Sequence, residues 1–183
     1  MPNVRVRNSA LAIAVLIALA GCSSSSKQSS PTTTAAAAGS MQLSSVSFPD
    51  NGPIATEFTC AGANKITPLE WEGVPVGTTS LALVVHDPDA PVPGGFTHWI
   101  VTGLHPVDGS LPPIPAGAEQ WRNSAGNAAW TGPCPPPGKP HHYQFTLYAL
   151  HGPVRQGATP AESITNIKDQ AIGQATLTGT YQR

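Results

Sequence analysis

Prolines and glycines interrupt this chain so often, 20 and 18 of them in 183 residues, that the apolar runs between them stay short. Proline cannot donate to a strand ladder and fixes its own φ, so each one ends or edges a run. Runs of this length and spacing predict a mainly β domain with antiparallel pairing. Thr79 to His86 is almost wholly β-branched or aliphatic, as for a strand buried on both faces, and it stops at Asp87-Pro88. Phe96 to Leu104 alternates, which places His98, Ile100 and Thr102 on one face and Trp99 and Val101 on the other. Tyr143, Phe145, Leu147 and Ala149 share a face, parity carries His141 to it, and His142 points the opposite way. One helix is predicted after Thr159-Pro160-Ala161-Glu162, an N-cap, a first-turn proline and a Glu three residues past the cap. Ile164, Ile167, Ala171 and Ile172 are its expected buried stripe, Gly173 its left-handed stop, and Ala175 to Tyr181 a final strand.

Residues 1–21 read as a lipoprotein signal peptide. Arg5 and Arg7 precede a short apolar core, Leu11 to Ala20, and Leu19-Ala20-Gly21-Cys22 forms a cleavage site whose cysteine takes the lipid. Residues 22–42, Ser, Thr and Ala for the most part, bury too little apolar surface to order themselves and read as a flexible linker. Residues 43–183 are the expected domain. The implied location is the cell envelope, with the chain lipid-anchored through acylated Cys22 to the outer face of the cytoplasmic membrane. Without the signal the chain keeps seven basic against ten acidic residues, and no basic stripe interleaves with aromatics, so nucleic acid is excluded as a partner. In an oxidising compartment Cys60 and Cys134 are expected to form a disulfide, two unpaired buried thiols being the alternative.

All six His lie between His86 and His151, around two proline-braced segments, Asp87-Pro88-Asp89-Ala90-Pro91 and Gly132-Pro133-Cys134-Pro135-Pro136-Pro137. A carboxylate at the end of a buried strand is costly unless paired, so Asp87 either meets a His or accepts backbone N–H groups in an Asp-Pro turn. Asp89 is expected to do only the latter. His98 and His141 sit among apolar neighbours, where a single imidazole is commonly a satisfied core group. Two together, steadied by one carboxylate, can hold a proton and present N–H donors to a phosphate or carboxylate oxygen. Gly132 adds a backbone N–H that a ligand can approach closely. The same groups are acid-base equipment, but no nucleophile accompanies them: there is no Gly-x-Ser-x-Gly elbow, and the prolines flanking Cys134 provide no oxyanion donors. No metal site is expected, although Asp87, His98 and His141 form a conceivable facial set, and no cofactor motif is present.

Several segments carry a resemblance. Thr56 to Cys60, Thr67-Pro68-Leu69-Glu70-Trp71, Asp87-Pro88-Asp89-Ala90-Pro91, His98-Trp99, Gly132-Pro133-Cys134-Pro135-Pro136, His141-His142-Tyr143 and Leu177-Thr178-Gly179-Thr180-Tyr181 occur in order. Across Leu43 to Arg183 the chain resembles the phosphatidylethanolamine-binding protein family, in its bacterial Raf-kinase-inhibitor-like branch. That resemblance implies a large antiparallel sheet packed on a smaller one with a few peripheral helices. It also implies an anion pocket for phosphate or a phosphorylated head group, made by Asp87, His98, Gly132, His141 and Tyr143, with Trp130 in its wall where relatives carry Tyr. Phe96 stands where many members have Trp. The expected function is an envelope-anchored binder of small anions or phospholipid head groups, and the alternative is a hydrolase or a protease or kinase inhibitor. No protein partner is legible.

Overall fold

In a computed structural model that describes residues 40–183, the chain runs β1 (Gln42–Ser44), β2 (Gly52–Pro53), a 3-10 turn (Thr56–Phe58), β3 (Leu69–Glu72), β4 (Ser80–Asp87), β5 (Phe96–Leu104) and β6 (Gly109–Leu111). It continues through β7 (Glu119–Trp121), β8 (His141–Leu150), α1 (Pro160–Asp169) and β9 (Ala171–Tyr181). The expected signal segment, Cys22 and all but the last residues of the linker lie outside the described residues. Met41 and Gln42 do not belong to that linker: Met41 is buried and Gln42 opens β1.

Two sheets form. The smaller has the order β1-β3-β6 and the larger β2-β9-β8-β4-β5-β7, antiparallel apart from the short β2–β9 pair. β4 lies at the centre of the larger sheet, hydrogen-bonded to β5 and β8, which is why its sequence is apolar on both faces. One face packs Leu81, Leu83, Val85, Phe145 and Leu147 against Leu43, Leu69, Trp71 and Leu111 of the smaller sheet. The other packs Ala82, Val84, Ile100 and Tyr148 against Ile167 of α1. Fully burying a Leu or Phe contributes about 1.5–3 kcal/mol, so the inter-sheet layer dominates stability.

A β-bulge interrupts the alternation of β5. Val85 pairs with Trp99 and His86 with Thr97, so one step on β4 is matched by two on β5, with His98 the extra residue. Thr97 and Ile100 consequently face the helix side, while Phe96, His98 and Trp99 all face the inter-sheet side. The simple period-2 reading, which set His98 with Ile100 and opposite Trp99, fails at this point because the bulge turns His98 inward.

The start of α1 follows the sequence: the Thr159 hydroxyl accepts from the Glu162 N–H, and Pro160 occupies the first turn. Its end does not. The helix stops at Asp169, capped by the N–H of Gln170, and the chain re-enters the sheet at Ala171, four residues before the expected strand. Gly173 is a strand residue rather than a helix stop, and Ile172 is 45% exposed. Ten residues paired with β8 outweigh another helical turn. The helix stripe is therefore Ser163 and Ile167, with Ile164 partly buried.

Candidate functional site

Asp87 ends β4, and the bulge on β5 brings His98 to the same side of the sheet. His141, the first residue of β8, completes the group. With the loops Ala90–Val92 and Thr131–Pro136 they line a cavity of about 180 Å³ whose rim is apolar: Pro91, Val92, Phe96, Pro135 and Pro136.

The polar groups are held by specific partners. The Asp87 carboxylate accepts from Nδ1 of His141 at 2.7 Å and, through its other oxygen, from the N–H of Asp89 at 2.8 Å. Both readings weighed for Asp87 thus hold at once, one oxygen serving each. Asp87 and His141 are 3% and 7% exposed, so this is a buried ion-pair geometry in which either partner alone would be strongly penalised. His98 Nδ1 lies 2.7 Å from the carbonyl of Thr131, and since a carbonyl only accepts, the proton sits on Nδ1. Nε2 of His98 is buried with no partner. Burial pushes the His98 pKa below its ordinary 6.5, against the opposing pull of the Thr131 carbonyl and Asp87, so the ring is neutral at pH 7 and Nε2 carries a lone pair.

Gly132 lines the cavity, but its N–H is not free. It donates to Oδ1 of Asn64 at 2.9 Å, so the expected bare amide for a ligand is already used. The glycine answers a packing need: an added Cβ would lie 2.3 Å from Asn64 Oδ1 and 2.6 Å from the Phe58 carbonyl. Tyr143 and Trp130 are not among the cavity-lining residues. Tyr143 packs its ring edge-on against His98 at 5.2 Å, and Trp130 stacks on Phe145 and meets Trp99 edge-on. The Tyr143 hydroxyl and Trp130 Nε1 are buried without partners, and burial raises the Tyr143 pKa so that it stays protonated. Phe96 packs at 4.8 Å from the His98 ring.

Two supports were not foreseen. Asn123, 2% exposed, directs its side-chain nitrogen to the His98 and Ala129 carbonyls and to Thr131 Oγ1, while its oxygen accepts from Ala125 and Asn127. It shapes the loop that carries the Thr131 carbonyl to His98. Its sequence cue is the turn-forming run Asn123-Ser124-Ala125-Gly126-Asn127. The second is Asn64, at φ +51°. Cys60 and Cys134 are joined in a disulfide with Cα atoms 5.3 Å apart, and the Cys60 N–H donates to the Pro133 carbonyl, pinning the cavity wall to the 3-10 turn segment. Asp89 lies outside the cavity, but it does not serve the local turn expected of it: its carboxylate accepts from both the N–H and Nδ1 of exposed His142, across the sheet end on β8. His105 and His151 are exposed and outside the cavity. No cluster of three or more metal-ligating side chains occurs among the described residues.

The family model for "Phosphatidylethanolamine-binding protein" matches residues 44–182. The chain belongs to the phosphatidylethanolamine-binding protein family. It is 45% identical over 147 residues to the Mycobacterium tuberculosis protein named "Putative lipoprotein LppC", covering 78% of this chain and 72% of that one. It is 39% identical over 138 residues to YbcL of Escherichia coli, covering 68% and 75% respectively. The crystal structure of E. coli YbcL superposes with a TM-score of 0.74 and 34% identity, over 79% of this chain and 99% of that one. The expected fold is therefore the observed one, two sheets with a peripheral helix.

Proposed function

We propose that the cavity at the end of β4 binds a phosphate-bearing small anion, either inorganic phosphate or a phospholipid head group, on a chain tethered in the cell envelope through Cys22. The observation that carries this reading is Nε2 of His98, a buried lone pair in the cavity wall with no protein partner. A buried polar atom left unmatched costs about 1–3 kcal/mol, which a bound ligand recovers. A singly protonated phosphate donates its P–OH to Nε2. A second phosphate oxygen accepts from Nε2 of His141, whose other nitrogen is held by Asp87. Asp87 already places a carboxylate beside the cavity, so a phosphate that still carries a proton fits it better than a fully ionised one. The cavity is below the roughly 300–1,000 Å³ of sites for larger ligands, which favours a head group over a whole lipid. Attachment through Cys22 is supported by the lipoprotein name of the M. tuberculosis relative.

Binding is favoured over catalysis by a specific feature. The sulfur in the cavity wall, on Cys134, is tied up in the disulfide and cannot act as a thiolate nucleophile. Calorimetry with inorganic phosphate and phosphorylethanolamine tests the proposal: His98→Ala, losing about 1.5–3 kcal/mol, should weaken binding roughly tenfold or more. Turnover of a phosphomonoester that disappears in His98→Ala would replace the binding reading with a hydrolytic one.

A further inference from the structure

The larger sheet has a second cavity on its opposite face, of about 440 Å³, between the sheet and α1. It is more than twice the volume of the His98 cavity and falls within the usual range for small-molecule sites. Its floor is formed by alternate residues of β4 and β8, and one wall by the Ala161, Ile164, Thr165 and Lys168 stripe of α1.

The chemistry of the lining is selective. Hydroxyl and amide side chains from four elements line it, with one lysine, one histidine and no Asp or Glu. Lys168 forms no ion pair among the described residues. Burial lowers the pKa of His86, Asp87 opposes this, and the nearby Lys168 charge adds to the lowering. His86 is half-buried, with Nδ1 3.3 Å from Thr97 Oγ1 and a further hydrogen bond from its ring to the Gly94 backbone, so the imidazole forms a fixed wall of the cavity. The turn at Gly94-Gly95 closes over that end of the ring: Gly95 adopts φ +75°, and a Cβ there would lie 2.7 Å from His86 Nε2 and 2.4 Å from the Asp87 carbonyl. Ser124 Oγ accepts the Thr97 N–H, which leaves its own O–H to donate. A cation without a counter-ion and a set of hydroxyls around an open space match a polyhydroxylated molecule with one anionic group.

We propose that this cavity is a second binding site, distinct from the His98 cavity, for a small hydroxylated anion such as a polyol phosphate. Lys168 takes the anionic group, while Ser124 and Gln144 take hydroxyls beside the His86 ring. The site does not depend on the first, because the two lie on opposite faces of one sheet. They share only the loop between β4 and β5, whose Pro91 and Val92 line one and whose Pro93 to Gly95 line the other.

The test uses glycerol 3-phosphate as probe and glycerol as its neutral control, in a His98→Ala background that disables the first cavity. His86 ring signals in long-range 1H–15N spectra should move with glycerol 3-phosphate and not with glycerol. Lys168→Met should weaken this binding at least tenfold, and Lys168→Arg should retain most of it. Lys168 is exposed, so neither variant endangers the fold. The proposal is overturned if His86 does not respond, if its response vanishes with His98→Ala, if glycerol binds equally well, or if Lys168→Met leaves affinity unchanged.

Discussion

Removing Asp87 and His141 singly and together measures what holds the His98 cavity in shape. In Asp87→Ala the Nδ1–H of His141 and the N–H of Asp89 lose their acceptor. The stranded buried Nδ1–H of His141 costs about 1–3 kcal/mol and breaking a buried charge pair about 3–5 kcal/mol, while the Asp89 N–H, on an exposed residue, adds little, so a loss of about 3–4 kcal/mol is expected. At 2–4 °C per kcal/mol this lowers Tm by about 6–16 °C. His141→Ala should cost a similar amount, because it leaves a carboxylate 3% exposed with one remaining donor. The double variant no longer strands either member of the Asp87–His141 pair, only the Asp89 N–H, and should be less destabilised than the sum, by about 2–3 kcal/mol. Urea denaturation of the four proteins at pH 7 gives the coupling from midpoints at constant slope. Additivity within about 0.5 kcal/mol would refute the claim that the two residues act as a unit.

Three further outcomes are expected. Asn123→Ala should destabilise by about 2–4 kcal/mol and weaken phosphate binding as well, since the same amide fixes the loop that orients His98, and a loss of stability with unchanged affinity would count against that link. His98 has its pKa lowered in the folded state, so below its ordinary 6.5 the unfolded chain takes up a proton that the native ring resists. Stability should then fall as pH drops from about 6.5 toward the folded value, and the slope in that window should shrink in His98→Gln when urea midpoints are compared between pH 7.5 and 5. Reducing the disulfide, which closes a loop of 74 residues, should cost about 2–4 kcal/mol and loosen the ligand cavity that Cys134 lines; calorimetry with and without reductant should show weaker phosphate binding at a temperature where the reduced chain is still folded.

Much of this molecule is legible in its sequence because burial writes a simple pattern on strands. β4 reads as a central strand since both of its faces are covered, and the Tyr143, Phe145, Leu147, Ala149 alternation of β8 marks its inter-sheet face, although Thr146 and Tyr148 are buried on the other. The Thr159 cap is legible because it is local. The features that escaped are those where two chain segments negotiate. The bulge at His98 exists only in the pairing of β5 with β4, and no single run records it. The end of α1 is set by the pairing of β9 with β8, which claims Ala171 to Gly173. Asn64 capturing the Gly132 amide depends on a contact across 68 residues. Asp87, His98 and His141 were recognisable as a group because a carboxylate and imidazoles at rigid strand ends rarely serve packing alone. Tyr143 and Trp130 were placed with them by resemblance, and the structure sets both behind the cavity wall.

The most direct test of the account is the response of the histidine ring nitrogens to inorganic phosphate. In long-range 1H–15N spectra at pH 7, free His98 should show its proton on Nδ1 and an unprotonated Nε2. Saturating phosphate should shift His98 Nε2 and His141 Nε2 in parallel, while exposed His105 and His151 stay where they are. If phosphate binds and His98 and His141 do not respond, or if free His98 carries its proton on Nε2, the cavity does not work as described.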